Sequence, residues 1–268
     1  MIDGTEIKSY YNRVASYYDA DYEETRFVPK YKHLEKINTE FLLDRYIMEK
    51  MDVLDCAAGT GVYIDYLLGK GANVTASDLS ERHVSILKET YGDKIKAYND
   101  NAVDLSRHND EIFDVVLCCG PLYHLSFEDS VVCVKECLKK NKKGGKVIIA
   151  YINKHFVAFD LMFSEHYQTT FDEALDIARK GECPQKQGFF GCAKFMSPEE
   201  IENIVEQAGG KVVEHITVDA DIPYFFKDMQ YYDELQIQKI AQYLREIGSR
   251  RTMLGCGKHN LIVITRKY

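Results

Sequence analysis

Two aspartates, Asp55 and Asp78, flank a turn of small residues, Ala57-Ala58-Gly59-Thr60-Gly61. A carboxylate accepts hydrogen bonds from hydroxyls and amides or pairs with an ammonium group, and glycines let a ligand come close to the backbone. An acid that ends a second strand suits the paired hydroxyls of a ribose. Farther along, Tyr123 offers an aromatic wall and His124 an imidazole with an ordinary pKa near neutrality, the property of a general base. These residue types point to a bound nucleotide next to a place where a proton can be taken.

The elements that must position them are legible around the turn. A short apolar strand, Val53 to Cys56, enters it, a helix leaves from near Val62, and a second strand, Asn73 to Ser77, ends on Asp78. That is the layout of a nucleotide-binding βαβ unit, whose helix N-terminus offers free N–H groups. Further strands are predicted at Lys94–Tyr98, Phe113–Cys118, Lys146–Tyr151, Lys211–Val218 and Leu261–Thr265, with helices at about 31–46, 81–90, 128–140, 170–179, 198–208 and 227–247. The helix at 128–140 is expected to stop at the basic, glycine-ended turn Lys142-Lys143-Gly144-Gly145. Leu34, Ile37, Phe41 and Leu42 take core spacing in the helix at 31–46. Five strand–helix alternations predict a parallel sheet with helices on both faces, and such sheets bind ligands beyond the C-terminal ends of their strands. Two insertions, at about 153–196 and 219–258, leave from those ends and are expected to act as helical caps within a single domain spanning 1–268.

A dinucleotide enzyme would show G-x-G-x-x-G, but Ile64 stands where the third glycine belongs. Asp55-Cys56-Ala57-Ala58-Gly59-Thr60-Gly61 instead resembles motif I of the class I S-adenosylmethionine-dependent methyltransferases, with Ala57 in place of the first glycine. Asn101-Ala102-Val103-Asp104-Leu105 is similar to the family's segment after strand three. Cys119-Gly120-Pro121-Leu122-Tyr123-His124-Leu125 resembles a G-P-L-Y-H-L motif of a bacterial small-molecule subgroup. The resemblance runs over about residues 10–210. It implies a Rossmann-like α/β fold with a seven-stranded, mostly parallel sheet whose last two strands pair antiparallel. It also implies S-adenosyl-L-methionine as methyl donor, S-adenosyl-L-homocysteine as product, and in-line transfer to a small-molecule acceptor.

Carried over residue by residue, the resemblance assigns Ala57, Gly59, Thr60 and Gly61 to the cofactor turn, Asp78 to the ribose and Leu79 to the adenine face. Asp55 either fixes the turn or reaches the methionine amino group. Asn101 or its rival Asp100, with Ala102, meets the adenine edge, and Cys119 and Gly120 close the site. Asp78 has a second reading as a cap for the helix from Ser80, and His124 as a brace for its own loop. Tyr10 and Tyr18, in a tyrosine-rich segment, are candidates for an N-terminal lid over 1–30, against plain packing.

A formal net charge of -8 speaks against long-range attraction to nucleic acid, so methylation of RNA or protein, or a non-catalytic binding domain, stands second. No apolar run reaches the roughly 18 residues that span a bilayer. The eight cysteines form no C-x-x-C pair, so no metal site is expected, and without a visible export signal a reducing cytoplasm is the expected setting. Cys133 and Cys137 share a helix face and read as core. Arg250 and Arg251 are either an anion-binding pair or a solvated one.

Overall fold

The structure is a computed structural model that describes residues 5, 8–9, 12, 30–163, 170–182, 193–219 and 231–267. Seven strands form one sheet: β1 (Asp52–Cys56), β2 (Asn73–Asp78), β3 (Lys96–Asn99), β4 (Phe113–Cys118), β5 (Asn141–Ile152), β6 (Gly210–Thr217) and β7 (His259–Arg266). Their order is β3-β2-β1-β4-β5-β7-β6, with β7 antiparallel to both neighbours. Strand order reverses between β1 and β4, and that switch point opens a crevice at the strands' C-terminal ends.

Alternation along the strands sends residues to two cores. Val53, Val74, Ala76, Val115, Leu117, Ile148, Ala150, Leu261 and Val263 face one. That face is covered by α1 (Lys30–Asp44), α2 (Ile64–Gly69) and α3 (Glu81–Tyr91) through Leu42, Leu67 and Leu87. Leu54, Cys56, Val116, Cys118, Val147 and Ile149 face the other, under α4 (Phe127–Lys140) and α7 (Pro198–Gln207). The thiols of Cys118, Cys133 and Cys137 cluster in this second core, all fully buried, where cysteine packs as a small apolar side chain.

The first insertion holds α5 (Lys154–Phe163) and α6 (Phe171–Lys180), which share a small core of Ile152, Val157, Leu161, Ala174, Ile177 and Phe195. Thr170 starts α6 with a capping box, and Gly181 ends it in the left-handed region at φ 70°. In the second insertion α8 (Glu234–Ile247) lays Ile237, Ala241 and Leu244 on Leu34 of α1, and a short α9 (Arg251–Leu254) follows.

Three sequence expectations are corrected. Phe41 is 44% exposed rather than core, and the guanidinium groups of Arg45 and Arg245 lie over its ring as cation–π partners in place of apolar packing. The turn 142–145 belongs to β5, which begins at Asn141; Lys142 bridges Asp114 on the adjacent β4 and Asp52 on β1 beyond it instead of capping a helix. The last long helix starts at Glu234, behind an Asp233 capping box.

Candidate functional site

β1 delivers Asp55 and β2 delivers Asp78 to the same face of the sheet at its C-terminal edge. Between them the turn is held by backbone: the Ala57 and Ala58 amides both donate to Ser77 O, at 2.8 and 2.9 Å. The Gly59 amide donates to Asp78 Oδ2 at 2.9 Å. Asp78 Oδ1 accepts from the Ser80 amide at 2.8 Å and lies 3.1 Å from His83 Nδ1. The helix cap itself is Ser80, whose Oγ accepts from the His83 amide. Asp78 is therefore not the cap. These bonds use about three of the roughly four acceptor positions of a carboxylate.

The turn's shape separates its residues. A Cβ on Gly59 would meet nothing within 4 Å, so open space lies over it. A Cβ on Gly61 would sit 3.0 Å from Ile64 and Tyr91, so that glycine is packed from below. Ala57, at φ 74°, adopts the left-handed conformation that glycine takes without strain. Its side chain points toward Gly120, at which a Cβ would lie 4.0 Å from Ala57 Cβ. Thr60 is buried and Leu79 half-buried.

Asp55 is 2% exposed, and among the described residues nothing donates a hydrogen bond to its carboxyl. It does not tie the turn amides, which is one of its two sequence readings. Burial, and after it the negative charge of Asp78, pushes its pKa up to about 7. A buried acid without a partner is costly when ionised and is compensated by an incoming cation. S-adenosylmethionine carries such a group in its methionine ammonium, next to hydroxyls for Asp78 and a flat base. The donor set and the open space over Gly59 fit it.

Of the two rivals for the adenine edge, Asp100 is spoken for. Its carboxylate is 2.6 Å from Arg107 Nε and 3.0 Å from His108 Nε2, with the side chain 5% exposed. Asn101 is exposed, and among the described residues its Oδ1 accepts only from the Val103 amide, at 3.2 Å. Ala102 is half-buried against the second core. Cys119 packs on the first core, and burial followed by the charge of Asp55 pushes its thiol well above the ordinary range.

Tyr123 and His124 close a 3₁₀ turn after β4, the His124 amide donating to Pro121 O at 3.0 Å. His124 is buried with its ring edge-on to Tyr123. Tyr123 O accepts from the Lys194 amide, which ties this turn to the first insertion. Tyr10 and Tyr18, like Cys183 and Cys192, lie outside the described residues.

The sequence reading missed two groups because their members are far apart in the chain. On the second face, Tyr151 Oη is 2.9 Å from His215 Nε2, His215 Nδ1 is 2.9 Å from Glu202, and Arg251 pairs with Glu202 and Glu199. Arg251 is thus an ion-pair residue and not an open anion site. On the first face, His259, Asp219 and Glu35 meet at the start of β7.

Residues 54–149 match the family model described as methyltransferase domain. The chain is 25% identical over 216 residues to a ubiquinone biosynthesis O-methyltransferase of Hydrogenovibrio crunogenus, covering 78% of this chain and 83% of that one. It is 26% identical over 216 residues to the same enzyme of Aliivibrio fischeri, covering 77% and 82%. Among solved structures, magnesium protoporphyrin IX methyltransferase from Synechocystis with bound S-adenosylhomocysteine superposes with TM-score 0.59 at 14% identity, over 99% of this chain and 100% of that one. A protein from Pyrococcus horikoshii superposes with TM-score 0.63 at 17% identity, over 97% and 99%. Those two likenesses concern the fold. With the domain match lying across the strands and turn that carry Asp55, Gly59 and Asp78, the protein is an S-adenosylmethionine-dependent methyltransferase of class I architecture.

Proposed function

We propose that the protein methylates a hydroxyl group of a small molecule and is of the bacterial small-molecule type with a G-P-L-Y-H-L turn. The observation that carries the donor side is the buried carboxyl of Asp55, without a hydrogen-bond partner among the described residues, beside the open space over Gly59. In this reading Asp55 takes the methionine ammonium, and the Gly59–Gly61 turn with Thr60 lies against the methionine and ribose. Asp78 spends most of its acceptor capacity holding the turn and gives the remainder to a ribose hydroxyl. Leu79, Asn101 and Ala102 border the adenine, and Cys119 and Gly120 border the sulfur.

The acceptor class is supported by the relatives, which are named as O-methyltransferases and align beyond the methyltransferase domain. In-line displacement at a sulfonium needs little covalent help, so holding donor and acceptor in line supplies most of the rate. Tyr123 walls the transfer site. His124, enclosed in its turn, serves by bracing that wall. The insertions at about 153–196 and 219–258 cap the site. The segment 1–30 is a lid: Lys8 pairs with Glu81 at 2.7 Å, and Asn12 Oδ1 accepts from Ser80 Oγ at 2.8 Å, both next to Asp78.

The test is a turnover screen with S-adenosylmethionine against phenols, catechols, amines, thiols and bulk RNA, read by mass spectrometry. Methylated phenol or catechol is the expected product. Transfer to RNA or amines alone, or tight donor binding without turnover in any class, would replace this reading with one of its rivals. Among the described residues no helix is long and apolar enough to cross a membrane.

A further inference from the structure

His259 opens β7, opposite Ile152 of β5, and its side chain falls on the same sheet face as Asp55 and Cys119. Its Nδ1 lies 2.5 Å from Asp219 Oδ2. A carboxylate only accepts, so Nδ1 carries the proton and Nε2 of the neutral ring carries the lone pair. Among the described residues Nε2 has no hydrogen-bond partner, and the side chain is 20% exposed, whereas Asp219 is 7% exposed. Asp219 is itself fixed: its Oδ1 accepts from the Lys258 and His259 amides, each at 2.9 Å. Gly257, just before them, packs so closely on Thr217 and Asp219 that a Cβ there would overlap both. Asn153 Nδ2 bonds the carbonyls of Leu254 and Gly257, pinning the same turn to the end of β5. A second carboxylate, Glu35 Oε2 on α1, stands 3.6 Å from Nδ1.

In the donor reading proposed above, Asp78 and Asp55, on β2 and β1, take the ribose and methionine ends, which directs the methyl group across β4 toward β5 and β7 and puts this imidazole on the acceptor side. His259 is two strand spacings beyond Cys119, roughly 10 Å, which leaves room for one small ring.

We propose that His259 Nε2 is the general base for the acceptor hydroxyl and that Asp219 is the positioning residue that fixes its ring. This rests on the hydroxyl-acceptor reading above. As the acceptor oxygen bonds the methyl carbon, the carbon–sulfur bond breaks and its electron pair stays on sulfur. The hydroxyl proton passes to Nε2, and the imidazolium, stabilised by Asp219 and Glu35, returns the proton to solvent. A positioned base of this kind contributes about 10²–10⁴-fold.

The experiment compares wild type, His259→Gln and Asp219→Asn on catechol and on 4-nitrocatechol, whose lower pKa leaves it ionised at neutral pH. S-adenosylhomocysteine affinity is measured alongside as a check on folding. His259→Gln is expected to bind the product as wild type does, to lose about 10²-fold or more of kcat on catechol, and to lose little on 4-nitrocatechol. Asp219→Asn is expected to show the same pattern more weakly. Wild-type turnover of catechol with His259→Gln equally active, or equally slowed on both acceptors, overturns the role of His259 alone. Failure of wild type to methylate either acceptor while binding the product removes the hydroxyl-acceptor reading and the base with it.

Discussion

The Gly59 amide donates to Asp78 Oδ2 at 2.9 Å, joining the glycine turn after β1 to the acid that ends β2. One hydrogen bond thus joins two strand ends into a single surface. The same carboxylate proposed above to meet the ribose also holds the backbone of the turn, so in that reading binding and local stability are coupled at Asp78.

The two glycines of the turn should separate those properties. Gly59→Ala adds a methyl to open space at φ 58°, costing about 1–2 kcal/mol of stability from the left-handed backbone while weakening S-adenosylhomocysteine binding at least tenfold. Gly61→Ala, at φ 106° and so beyond the left-handed well, carries at least that backbone cost plus overpacking against Ile64, Leu87 and Tyr91, about 1–3 kcal/mol more. Urea denaturation and calorimetry on both variants check the contrast; equal losses of stability would refute it.

Ala57 replaces the glycine expected at the head of the turn and takes its left-handed conformation. Ala57→Gly releases about 1–2 kcal/mol of backbone strain but gains unfolded-chain entropy worth about 0.4–1 kcal/mol, so its net stability stays within about 1 kcal/mol of wild type. Ala57→Val sets a β-branched residue at positive φ, facing Gly120, and should lose clearly more, about 2 kcal/mol or above. Denaturant midpoints decide it.

Asp55 predicts an unusual pH dependence. Its folded pKa is about 7 against an ordinary 3.8, so between those values the folded state holds a proton the unfolded state lacks. Stability from this group is fully present below about pH 4, falls as pH rises, and is gone above about pH 7. At about 1.4 kcal/mol per pKa unit the span is on the order of 4–5 kcal/mol. Asp55→Asn should flatten that slope and stabilise the unliganded protein at pH 8, yet weaken S-adenosylhomocysteine binding there. Denaturation at pH 5 and pH 8 measures the first effect; a slope unchanged by the substitution would count against an unpaired Asp55.

The strand, turn, helix and second strand within Met51–Ser80 were legible in the sequence because they are local, and they place Asp55, Gly59, Gly61 and Asp78 at one sheet edge. The shared helix face of Cys133 and Cys137 was legible for the same reason, and both pack with Cys118 in the core. What sequence periodicity does not carry is contact between distant segments. Glu35, Asp219 and His259 meet only because α1 crosses the ends of β6 and β7. Arg251, which looked open to an anion, is claimed by Glu199 and Glu202 some 50 residues earlier. Asp100 and Asn101 were indistinguishable by position until Arg107 and His108 were seen to enclose the first.

The central claim is that the Asp55–Asp78 edge binds S-adenosylmethionine, and calorimetric titration of wild type and Asp78→Ala with S-adenosylhomocysteine tests it most directly, with circular dichroism to confirm that the variant is folded. The account predicts one site per chain in wild type, no binding of NAD, and a loss of at least 100-fold in affinity in the folded Asp78→Ala variant. Absence of binding in wild type, or undiminished affinity in the variant, would contradict it.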